Sequence, residues 1–197
     1  MNSVSRSKLT LVALVLGLMV TCALASAQDL VDNPQYVSWA KQKPGSTVTY
    51  SMNNSAGGQQ MTGTVVHKLV EVTADQVTVE MTTNMQVNGQ SHAGPPMKAT
   101  YKAKVPAADA DQSKLPQNVK GTAKEVGNEK VDVAGKSFDC KVIEYEGTMG
   151  APPHPPIKGK IWRSAEVPGG VVKMQSEMQQ GAMTMKVGMI LQSMDLK

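Results

Sequence analysis

Two segments carry the side-chain types that soft metals bind. His92-Ala93-Gly94-Pro95-Pro96-Met97 and Met149-Gly150-Ala151-Pro152-Pro153-His154 each set a histidine and a methionine five residues apart, in opposite order, around a Pro-Pro pair. Brought to one rim, His92, Met97, Met149 and His154 would offer two imidazoles and two thioethers, a set that suits copper. The plainer reading is that proline stiffens exposed connections and leaves each histidine solvated. A second concentration is Met174, Met178, Met183, Met185, Met189 and Met194. Met183, Met185, Val187, Met189 and Leu191 share one parity, so an extended strand turns them to one face. Met183 and Met185 would then stand about 7 Å apart along the strand, long for a shared ion. A soft, adaptable wall for an apolar ligand is the favoured reading of that face.

Other reactive residue types lack partners at useful spacing. Cys140 alternates with Phe138 and Val142, which points it into a core, where a thiol is inert. His67 sits among Met61, Val65 and Leu69 as a satisfied or edge histidine. Glu144 and Glu146 flank Tyr145 on one face, but acid–base work by such a pair needs a cleft, and a wet sheet face explains them. No serine has a convincing base and orienting acid beside it. The chain is therefore expected to be no enzyme and to need no cofactor.

The elements that must position these residues begin after an export signal. Arg6 and Lys8 precede an apolar run from Leu9 to Leu24, and Ala25-Ser26-Ala27 supplies the small residues of a cleavage site. Residues 1–27 are read as a cleaved signal peptide and 28–197 as one domain that is periplasmic, cell-envelope or secreted. Cys22 follows Thr21, a poor fit to a lipid-attachment motif, and leaves with the signal. No transmembrane segment is expected after cleavage. The remaining single cysteine, Cys140, cannot close an internal disulfide. Removing Arg6 and Lys8 leaves 18 basic against 16 acidic residues, and no basic cluster with interleaved aromatics suggests nucleic acid. Protein partners are not indicated. Twelve methionines remain against one Phe, two Trp and four Tyr, so Met fills volume that aromatics would otherwise take.

Asn33 and Pro34 can cap and open a helix over 33–41, with Tyr36, Val37, Trp39 and Ala40 as its apolar face. From Ser46 the period becomes two, most clearly over Gln76–Asn88 and Met97–Val105, the habit of antiparallel strands with one face buried. Strands are expected near 46–54, 60–72, 76–88, 96–105, 120–127, 129–134, 137–147, 157–164, 170–179 and 182–195, with a loop at 106–118. The chain should be mainly β: an antiparallel meander of about 8–10 strands forming a curved half-barrel, or a barrel, with one N-terminal helix packed on it.

Three segments together resemble small uncharacterised exported bacterial proteins: Trp39-Ala40-Lys41-Gln42-Lys43-Pro44-Gly45-Ser46, Gly135-Lys136-Ser137-Phe138-Asp139-Cys140-Lys141-Val142, and Lys160–Lys173 with its Ile161-Trp162-Arg163 and Val167-Pro168-Gly169-Gly170. The layout is more distantly similar to the periplasmic lipoprotein-carrier (LolA/LppX-like) superfamily. That resemblance implies a curved antiparallel sheet holding acyl chains. Joined to the residue reading, it suggests an apolar or lipid-like ligand held by Trp39, Tyr101, Met183, Met185 and Met189. Soft-metal binding and an envelope scaffold or interaction protein are the alternatives.

Overall fold

Alternating sequence becomes strand almost throughout the computed structural model, which describes residues 29–197 apart from 88, 113, 114, 117, 118, 150–154 and 182. The expected signal segment with Cys22, and His154, lie outside the described residues. The elements in order are β1 (Leu30–Asp32), α1 (Pro34–Trp39), β2 (Thr47–Ala56), β3 (Gln59–Val72), β4 (Gln76–Val87), β5 (Gln90–Ala93), β6 (Met97–Lys102), β7 (Lys104–Pro106), α2 (Ala107–Gln112), β8 (Val119–Val133), β9 (Lys136–Met149), β10 (Pro156–Arg163), β11 (Val171–Gln180) and β12 (Met183–Asp195).

Ten strands form one antiparallel sheet in the order β5-β4-β3-β2-β12-β11-β10-β9-β8, with β6 also on β4, while β1 and β7 pair separately. The meander thus has two arms that grow outward from a central pair made by the first and last long strands, β2 and β12. The sheet is curved and does not close, so the half-barrel expectation holds and the barrel does not. Its curl is strong. β8 and β12, four positions apart, hold Cα atoms within 8 Å of one another, whereas a flat sheet would separate them by roughly 19 Å. No helix among the described residues is long and apolar enough to cross a membrane.

Helix α1 starts as its sequence demands: the Asn33 side chain accepts from the Gln35 N–H at 3.0 Å, and Pro34 occupies the first turn. It buries Trp39 in a core with Val48, Tyr50, Leu69, Val77, Val79, Phe138, Cys140, Val142, Trp162, Val167, Val172 and Leu191. Tyr36 donates its hydroxyl hydrogen to the turn carbonyls of Thr73 and Ala74. A second cluster holds Leu115, Val119, Tyr145, Ile157 and Ile161.

Three expectations need correction. The helix at 33–41 is not alone, because α2 forms inside the segment expected to be a loop. The strands expected at 120–127 and 129–134 are one: β8 runs through Gly127-Asn128, with one extra residue at a register shift between Glu125 and Gly127. A turn dipeptide and a bulge dipeptide look alike in sequence. The alternation also does not keep one dry side. Along β9 the buried residues are Phe138, Cys140 and Val142, then Ile143 and Tyr145, so the dry face changes sides between 142 and 143. β10 does the same between Ile161 and Trp162.

Candidate functional site

That change of sides leaves polar residues together on one face of the sheet's outer half. Register aligns two cross-strand rows there. One runs Thr122, Glu146, Lys158, Glu177, Lys186, Ser55 and Gln60; the other runs Lys124, Glu144, Lys160, Gln175, Gly188 and Asn53. Between them the backbone of Tyr145, Gly159, Ser176 and Val187 forms the floor. These residues line a trough of about 1060 Å³, at the upper end of ligand-pocket size. A smaller hollow of about 500 Å³ adjoins it, sharing Thr122, Glu146, Lys158 and Glu177 and adding Gly121, Gly147 and Ile157.

Charges alternate across the strands of the trough. Lys160 Nζ meets Glu144 Oε1 at 2.8 Å, and this carboxylate holds the Lys160 ammonium above its usual range. The side chains of both are about half exposed, so the contact orders the row more than it stabilises the fold. Beneath the floor, the Tyr145 hydroxyl is hydrogen-bonded to Ser176 Oγ, and burial raises the Tyr145 pKa while that bond opposes the rise. The trough can hold a ligand by charge pairing with Lys and Glu heads and by contact with their aliphatic stems.

The sequence-derived ligand residues stand elsewhere. Trp39 is 1 % exposed within the main core, and half-buried Tyr101 and Met189 pack against that same cluster, so these three come together. Met185 is half-buried on the same side as Met189, whereas Met183 is 48 % exposed at the start of β12. Trp39 of α1 is buried in that core, and the trough lies on the face opposite Met185 and Met189. Tyr101 has a raised pKa from burial, partly offset by Arg163 nearby.

Of the copper set, His92 on β5 pairs with Met85 and Met97 on β6 pairs with Met81, both on β4. Met149 pairs with Val119 at the end of β9, six strand positions from β4. The first two are thus on one flank and Met149 is on the other. Cys140 is buried, and burial, with Asp139, Glu129 and Glu166 near it, pushes its thiol pKa up. The trough lining is hidden in the sequence because Glu144 and Glu146 alone look like any solvated strand face. The signal was there: Lys158, Lys160, Gln175, Glu177 and Lys186 repeat the polar parity on three neighbouring strands.

No family model matches the chain, and no curated protein matches it. Among solved structures, a Bacteroides fragilis protein with a YmcC-like fold matches at 13% identity over 78% of this chain and 97% of its own, with a TM-score of 0.43. A candidate lipoprotein from Parabacteroides distasonis matches at 12% identity over 78% and 96%, with a TM-score of 0.49. A candidate outer-membrane lipoprotein-sorting protein domain from Vibrio parahaemolyticus matches at 10% identity over 84% and 92%, with a TM-score of 0.28. The likeness is one of strand layout.

Proposed function

We propose that the chain is an exported, non-enzymatic binding protein that holds an amphipathic, lipid-like molecule in the polar-walled trough of its curved sheet. The observation that carries this reading is the trough itself, open and of about 1060 Å³, with Lys and Glu alternating along its rows. Alternating charge suits a zwitterionic head group, since each end of the zwitterion finds an opposite partner. The adjoining hollow, floored by Gly121, Gly147 and Ile157, has room for the start of an apolar chain. The ligand expectation thereby moves from the methionine face to the face behind it. A non-enzymatic role is supported by Glu144, which is engaged by Lys160 at 2.8 Å, and by Cys140, which is buried with a raised pKa.

The test is titration of the purified protein with a fluorescent zwitterionic lysophospholipid. Saturable 1:1 binding is expected, weakened about tenfold when Lys158→Glu and Lys186→Glu are combined, because two favourable contacts become repulsive. The reading fails if the probe does not saturate and the protein taken from its own envelope flies bare in native mass spectrometry.

A further inference from the structure

On the face opposite the trough, the sheet brings three methionines around one empty side-chain position. Gly63 on β3 lies directly between Met52 on β2 and Met85 on β4 in the register. Met61, two residues before Gly63 on the same strand, shares that face and stands directly opposite Asn54 of β2. Gly63 must be glycine because a Cβ there would run into the Asn84 carbonyl and come within 3.1 Å of Met85 Cα. The consequence is a row position without a side chain between Met52 and Met85, which stand two strand spacings, roughly 10 Å, apart, with Met61 next along the same face of β3.

Two observations separate these methionines from ordinary core filler. Met189 and Met194 pack against the main core, and Met174 and Met178 pack against the second, but Met52, Met61 and Met85 belong to neither cluster although all three are half-buried. Beside them, Asn54 Oδ1 is buried and has no hydrogen-bond partner among the described residues. A buried carbonyl oxygen left unsatisfied is costly, and a cation in the adjoining gap gives it a positive neighbour.

We propose that Met52, Met61 and Met85 bind a soft monovalent cation, Cu(I), over Gly63, with Asn54 Oδ1 facing the ion. Thioethers are soft, neutral ligands that select Cu(I) over hard divalent cations. Methionine has three rotatable bonds and can swing its sulfur inward from each border of the gap. The set differs from His92, Met97, Met149 and His154, since it needs neither Pro-rich segment and is assembled by strand pairing alone. The groups on this face that titrate between acid and neutral pH are His92, directly opposite Met85 on β5, and His67, further along β3. The thioethers themselves carry no proton to lose, so binding by the three methionines is the same from pH 5 to pH 7.5, unlike an imidazole site.

The experiment is anaerobic Cu(I) titration of the purified protein against a chromophoric Cu(I) chelator, with Ag(I) as the air-stable stand-in for methyl NMR of ¹³C-labelled methionine. One ion per chain is expected, with Ag(I) shifting the methyl signals of Met52, Met61 and Met85. Met52→Leu combined with Met85→Leu, which conserves volume, should weaken binding at least thirtyfold, while exposed Met97→Leu leaves it unchanged. The proposal is overturned by unchanged affinity in the double variant. It is equally overturned if Ag(I) shifts none of the three signals, or if affinity falls with acid and disappears in His92→Ala. Should the double variant prove unfolded by circular dichroism, the wild-type NMR titration decides alone.

Discussion

His67 lies on β3 opposite Val48 and Met81, with the Tyr50 ring edge-on at 5.2 Å between centroids. Burial lowers its pKa from 6.5 to about 4, so the folded protein keeps it neutral where the unfolded chain takes up a proton. Between those values the unfolded state binds more protons, and stability falls as the solution is acidified. The contribution is fully present above about pH 6.5 and lost by about pH 4, a difference of about 3 kcal/mol. Urea midpoints measured across that range should drop toward acid in the wild type. His67→Gln should flatten the His67 part of the slope; an unchanged slope would mean that other groups set it. The Tyr50 phenol beside it is also disfavoured in its charged form by burial, and its hydroxyl donates to the Val171 carbonyl at 3.1 Å, tying β2 to the start of β11.

Strands β8, β9 and β10 show how glycine lets an element bend. Gly121 and Gly147 face one another across the β8–β9 pair, and a Cβ on either would strike the partner backbone. At Gly159 of β10, a Cβ would meet the Gln175 carbonyl and come within 2.6 Å of Tyr145 Oη. Gly159→Ala is therefore expected to cost about 2–3 kcal/mol through overpacking, read as a lowered urea midpoint at constant m; a neutral effect would show that the β9–β11 floor can spread. Elements were legible where the pattern was long. The alternation from Gln76 forms β4 through Val87, and the Asn33-Pro34 cap opens a helix. The three-residue pair β1 and β7 carries no periodicity to read. Pairing between distant strands was also hidden: nothing local says that β2 neighbours β12, or that Met52, Met61 and Met85 surround Gly63. The C-terminal methionines attracted notice by crowding in sequence, whereas these three gather only in space.

At the scale of the molecule, the two arms depend on the seam where β2 meets β12. That seam runs from Met185–Ala56 to Asp195–Thr47 and is flanked by paired strands on both sides. The edges are different. β8 ends one arm with Lys and Glu along an exposed strand, and the other edge is interrupted between β5 and β6 by Gly94-Pro95-Pro96, both devices that discourage pairing with a second sheet. Amide hydrogen exchange should be slowest along the seam and fastest in β5 and the β1–β7 pair, which hangs on three register positions. Faster exchange at the seam than at β5 would show that the arms open as separate units.

The change of dry side within β9 and β10 bears on the protein before it is folded and when it is damaged. A strand with one apolar stripe along its whole length is a ready template for stacking with its own kind. Peeled from its sheet, β9 would instead show one short apolar patch, Phe138 to Val142, on one side and another, Ile143 and Tyr145, on the reverse. Each is shorter than the six- or seven-residue span that fibrils favour, and Glu144 and Glu146 end the first by continuing its side with charge. The change of sides that builds the trough thus also keeps the chain from finding a partner in its own likeness.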